Sequence, residues 1–155
     1  MLIGIWGVNA HASDGANVFT TNDFDLFLPP NPDNLLETWR ACDELGFSLH
    51  AGPEPLGIPH DRLLAQRVVD RRGLVRATAP GGLAVDLTLV MSAFDFDQVW
   101  SERRRFIMDG VEVPVARLSH IVRSKTAAGR EKDRLFLATH ADTLRQMLAD
   151  DENQR

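Results

Sequence analysis

A length of 155 residues suits one domain of ordinary size, and a 44% apolar content supplies a genuine core. Charged residues make up 25% with no long block of one sign, which excludes bulk disorder. The net charge of -5 excludes the broad basic footprint of a DNA-coating protein, but RNA stays compatible, because Arg117, Arg123, Lys125, Arg130, Lys132 and Arg134 can form a local basic stripe.

In chain order, Leu2-Ile3-Gly4-Ile5 is a short apolar run of strand type, Trp6 to Ala12 reads as a short helix, and Ser13 to Asn17 as a polar turn. From Thr21 to Leu28 the residues alternate, which predicts a strand with Phe24, Leu26 and Leu28 on one face and Asp23, Asp25 and Phe27 on the other. Asn31 to Leu45 reads as a helix, capped by Asn31, with Pro32 in the first turn and an apolar face of Leu35, Leu36, Trp39, Cys42 and Leu45. The Gly- and Pro-rich stretch Ala51 to Pro59 is expected to be a loop, and Asp61 to Val69 a helix.

Val75 to Ala79, the turn Pro80-Gly81-Gly82, and Leu83 to Met91 make a hairpin pattern. In its second arm Asp86 shares a face with Ala84 and Thr88, opposite Leu83, Val85, Leu87 and Leu89. A helix is expected over Asp95 to Arg103. Phe106 to Met108 and Val111 to Val115 flank Asp109-Gly110, the dipeptide that a type I′ hairpin favours. One more helix starts at Ser119 and breaks near Gly129, and a last one runs from Arg130 to about Leu148. The order predicts an α/β (α+β) chain with a mixed sheet flanked by helices, one domain over 1–150 and a frayed tail over 151–155. Trp6, Trp39 and Trp100 are read as core.

The single cysteine, Cys42, excludes an internal disulfide and a thiolate metal cluster and is read as a buried helix residue in a reducing compartment. Met1–Val8 is apolar but lacks a basic flank, and no run approaches a membrane span, so the expectation is a cytoplasmic protein without a membrane partner. The five histidines show no zinc spacing.

Asp23 and Asp25 lie two apart on a strand and therefore project together. Unneutralised, they repel. Asp86, alone within an apolar strand, needs a partner charge. If the two strands are neighbours, one divalent hard cation site explains all three carboxylates. The alternative is a solvated sheet face carrying Asp23 and Asp25, with Asp86 on an edge.

Leu2-Ile3-Gly4, a short helix, a polar turn and Thr21-Asn22-Asp23-Phe24-Asp25-Leu26 resemble the opening of the nucleotidyltransferase superfamily, the polymerase-beta-like fold. Ala84-Val85-Asp86-Leu87 resembles its third acidic strand. The order of Phe94 to Trp100, Asp109 to Val115 and Leu118 to Asp133 is similar to small bacterial members, so the likeness covers nearly the whole chain. It implies a minimal nucleotidyltransferase fold in which Asp23, Asp25 and Asp86 are catalytic and hold Mg²⁺ or Mn²⁺. An NMP passes from an NTP to a hydroxyl acceptor by two-metal in-line displacement. The acceptor classes implied are an RNA end, a protein or a small molecule, and toxin-type members imply an antitoxin protein partner. Gly4, Ile5, Asn9, Lys125 and Arg130 are the implied nucleotide contacts; His11, which like Asn9 follows the glycine turn, is a further candidate for phosphate or base, with a structural role as the alternative.

The chain departs from the pattern in two of its residues: Ile5 stands where a second Gly or Ser is expected, with Gly7 the nearest substitute, and Phe19 replaces an arginine. These departures support the alternative of a catalytically degenerate domain of the same fold that binds nucleotide or protein.

Overall fold

The computed structural model describes residues 1–12 and 19–153; the polar turn expected over Ser13 to Asn17 lies outside the described residues. Among the described residues, eight strands and seven helices form an α/β arrangement with parallel and antiparallel pairs. No helix among them is long and apolar enough to cross a membrane. They divide into two compact units, Thr21–Val90 and Met1–Thr20 with Met91–Arg155.

The first strand of the chain, β1 (Leu2–Ile3), its helix α1 (Gly4–Ala10) and everything after Val90 belong to the divided unit. Gly4 takes φ 65, a left-handed conformation that a side chain disfavours, and this allows the strand to turn at once into the helix. The unit Thr21–Val90 holds β2 (Asp23–Phe27), α2 (Pro32–Glu44), β3 (Ser48–Ala51), β4 (Glu54–Pro55), α3 (Arg62–Asp70), β5 (Val75–Thr78) and β6 (Ala84–Thr88). Its strand order is β4-β3-β5-β6-β2. Only β6 and β2 run parallel; the other pairs are antiparallel.

Each helix of this unit starts on a side-chain cap. Asn31 Oδ1 accepts from the Asp33 and Asn34 backbone N–H groups at 2.8 and 3.1 Å, and Asp61 Oδ1 accepts from Leu64 N–H at 2.9 Å. Leu35 and Trp39 of α2 and Ala65 of α3 pack with Leu49, Val75, Ala77 and Leu87 of the strands and with Leu89 just beyond β6. These apolar strand positions turn to the helix side, and the alternate positions carry Arg76, Asp86, Asp23 and Asp25, with buried Phe27 on that same side. The stretch expected to be a loop from Ala51 holds β4 instead. Leu49 and Leu56 are both buried, and Leu56 N–H donates to Leu49 C=O at 2.8 Å, so two apolar anchors close a hairpin that glycine and proline content conceals.

In the other unit β1 pairs parallel with β8 (Val111–Val115), which pairs antiparallel with β7 (Arg104–Met108). Asp109 and Gly110 between them take φ 49 and 80, the two positive values that a type I′ turn requires. The helices are α4 (Phe96–Ser101), α5 (Leu118–Ala128), α6 (Glu131–Thr139) and α7 (Ala141–Asn153). The single long helix expected after Arg130 is broken at His140, whose ring packs on Phe19 and Phe136 at 4.6 and 5.1 Å. Helix α7 runs as far as Asn153, and Asp151 accepts from Arg104 Nη2 at 3.0 Å. Trp39 is fully buried as expected, whereas Trp100 is 37% exposed, stacked on Phe96 and under the Arg103 guanidinium.

Candidate functional site

The polar face of the unit Thr21–Val90 is set by register. Asp25 of β2 is the partner of Asp86 of β6, and parallel partners project to the same side. Asp23, two residues earlier, projects with them. Across β6, Asp86 is the antiparallel partner of Arg76 of β5, and Arg76 is the partner of His50 of β3. One transverse row thus reads His50, Arg76, Asp86, Asp25 over four strands, with Asp23 in the next row.

Arg76 dominates the electrostatics of this row. Its Nε donates to Asp86 Oδ1 and its Nη2 to Asp86 Oδ2, both at 2.7 Å, a bidentate fork. The same Nη2 reaches Asp23 Oδ2 at 3.2 Å. Thr21 Oγ1 donates to Asp23 Oδ1 at 3.0 Å. Asp86 is buried, at 8% exposure, while the Arg76 side chain keeps 45% of its surface in solvent. Hydrogen bonding to Asp86, the Asp86 charge and then the charges of Asp23 and Asp25 hold the guanidinium protonated far above its ordinary range.

Arg76 thus supplies a partner charge for lone Asp86. By donor type the three carboxylates suit Mg²⁺. By arrangement they do not: both Asp86 oxygens are engaged by Arg76, and no group of three or more His, Cys, Asp or Glu side chains among the described residues is disposed to hold a metal ion. Arg76 was missed from the sequence although a signal existed. Counting back from the turn, where Ala79 N–H donates to Leu83 C=O, sets Thr78 against Ala84 and Arg76 against Asp86.

The residues assigned to nucleotide by resemblance lie in the other unit. Gly4 makes the strand-to-helix turn as the first residue of α1, and Ile5 follows it, half-buried. Gly7 serves packing, since a Cβ there would lie 2.8 Å from Ile121 Cδ1. Asn9 is buried and uses both ends of its amide on one residue: Nδ2 donates to Phe19 C=O at 2.8 Å and Oδ1 accepts from Phe19 N–H at 3.1 Å. Phe19, in the position of the family's arginine, is buried against Phe136.

His11 is held by the unit's own backbone, with Nε2 2.9 Å from Ala116 C=O and Nδ1 3.5 Å from Asp151 Oδ1. Burial pushes its pKa below the ordinary 6.5, and the Ala116 and Asp151 contacts offset part of that. Lys125 Nζ donates to Asp133 Oδ1 at 3.0 Å, and both side chains are largely buried. Asp133 is thus matched locally by the lysine expected to meet phosphate. Arg130 precedes α6 as its N-cap residue without a side-chain cap bond. The basic stripe is partly spent in the same way: Arg117 donates to Glu102 C=O at 2.9 Å, and Arg123 lies over the Phe94 ring at 5.3 Å. Cys42 is half-buried on α2.

Compared with models of protein families and with curated proteins, the chain matches none of them.

Proposed function

We propose that the chain is a nucleotidyltransferase-type domain that moves an NMP from an NTP to a hydroxyl acceptor, acting in the cytoplasm. The observation that supports this reading is the register pairing of Asp25 with Asp86, which sets three carboxylates on the polar side of a five-stranded unit whose other side is its core. A sheet face built this way commits acidic groups to one spot at a cost in repulsion, a cost expected where charge serves a ligand. Mg²⁺ or Mn²⁺ is the cofactor that the resemblance implies for this reading.

A second reading is favoured by the Arg76 fork itself: a domain of the same type that binds nucleotide or protein without turnover, its carboxylates neutralised from within. Titration of a fluorescent NTP analogue in Mg²⁺ tests the first reading. Saturable binding by the wild type that is lost in Asp25→Ala is expected. Absence of saturable binding at millimolar Mg²⁺ would overturn it.

A further inference from the structure

We propose that the outer edge of β7 is a docking strand for a second copy of this chain, the two β7 strands pairing antiparallel about a two-fold axis at Ile107.

The direction of the backbone groups comes first. β7 pairs with β8 on one side, and the strand order ends with it. The turn at Asp109 and Gly110 spans two residues, which makes Met108 and Val111 a hydrogen-bonded pair. Such pairs alternate along an antiparallel ladder. Phe106 and Met108 therefore turn their N–H and C=O groups to β8, and Arg105 and Ile107 turn theirs away. Among the described residues no loop or turn backbone bonds to those outward groups; the edge is closed only at its start, where Arg103 N–H donates to Trp100 C=O at 3.4 Å. An open edge of this kind is a template for another strand.

The side chains select the partner. Ile107 is 70% exposed, and Arg105 and Glu112 on the same face are 58% and 55% exposed. An antiparallel pairing of two copies centred on Ile107 covers each isoleucine with the other. It also sets Arg105 against Asp109 of the second copy, twice by symmetry. Arg105 Nη1 holds Glu112 of its own hairpin at 3.0 Å, and the rest of the guanidinium fork has donors for Asp109 across the axis. A register centred on Arg105 opposes two guanidinium groups. One centred on Phe106 sets Ile107 against Arg105 of the second copy and matches no charge to charge. The edge is thus complementary to itself in one register, which fits a second copy rather than an unrelated strand.

The test is sedimentation equilibrium of the wild type, Ile107→Pro, Ile107→Lys and Arg105→Glu, with circular dichroism of each. Proline at 107 removes a donor that β8 does not use, so it deletes the pairing and leaves the hairpin ladder in place. Wild type should dimerise at concentrations on the order of 100 µM, as a short interface allows. Ile107→Pro should be monomeric. Ile107→Lys, which opposes two cations on the axis, should be monomeric too, and it covers the case in which the proline variant does not fold. Arg105→Glu faces Asp109 of the second copy with a like charge and should weaken the dimer at least about tenfold; added salt should weaken the wild-type dimer. A wild type that stays monomeric at that concentration, or a dimer that survives in folded Ile107→Pro or Ile107→Lys, overturns the proposal. A dimer as tight in Arg105→Glu as in wild type overturns it as well, since the register centred on Ile107 requires that ion pair.

Discussion

Asp25 and Asp86 are register partners on adjacent parallel strands, β2 and β6, and Arg76 on the far side of β6 is the next partner in the same row. The row joins a repulsive pair to a compensating cation, and its stability follows from that cation. Asp86→Asn keeps the shape but weakens the fork. Its unfolding free energy without metal should fall by about 1–3 kcal/mol, the range for a hydrogen bond to a charged group. Urea denaturation measures this. A rise in stability would mean that repulsion from Asp25 and Asp23 outweighs the Arg76 bonds.

Lys125→Ala strands Asp133, at 5% exposure, without its cation. Removing one partner of a buried pair should cost about 3 kcal/mol. The double variant Lys125→Met with Asp133→Leu should recover most of the loss, because an apolar pair of similar volume needs no compensation. Thermal melts of the single and double variants check this. An unchanged melting temperature for Lys125→Ala would instead return this lysine to the role of a spare cation for phosphate.

Asn9 ties the end of α1 to Phe19 through both halves of its amide. Asn9→Ala should destabilise the fold by about 1–3 kcal/mol, since it leaves buried backbone groups of Phe19 unsatisfied. Asn9→Asp should cost at least as much, because its buried carboxylate sets an acceptor against Phe19 C=O where the amide donates. Chemical denaturation measures both. A clearly smaller loss for Asn9→Asp would show that the clamp works through its acceptor alone.

His11 and His120 are both buried with pKa values pushed below 6.5, chiefly by desolvation. Glu102 raises the His120 value while Arg117 and Arg123 lower it; Asp151 raises that of His11 and Arg104 lowers it. In this window the unfolded chain binds more protons than the folded one, so stability increases with pH and is lost as pH falls from 6.5 toward the folded-state values. Replacing both histidines with Gln should flatten the urea midpoint across roughly pH 5–7. A slope unchanged by the double replacement would assign the acid sensitivity to other groups.

Much of this architecture was legible because its punctuation is chemical. Asn31 caps its helix as expected, the helices expected from Asp61 and Asp95 start there with those residues as caps, and Asp109-Gly110 turns where the dipeptide demands it. The face shared by Asp23, Asp25 and Asp86 followed from period two and strand adjacency. What escaped lacked such marks. The break at His140 has no glycine or proline and is made by ring packing on Phe19, a contact far away in sequence. The strands β3 and β4 are short and depend on Leu49 and Leu56 finding one core. Arg76 carries no local mark of its role, which only the hairpin register with Asp86 gives it, and Lys125, a nucleotide contact by resemblance, meets Asp133 across the α5–α6 turn.

Nucleotidyl transfer on the acidic face is tested by incubating the protein with each α-labelled NTP, Mg²⁺ and total RNA or cell extract, beside Asp23→Ala and Asp25→Ala. Label is expected on a macromolecular or small hydroxylated acceptor with wild type, with a loss of at least about a hundredfold in either variant, as for removal of a metal anchor in phosphoryl transfer. Label transferred equally by wild type and Asp25→Ala, or no transfer from any NTP, would contradict it.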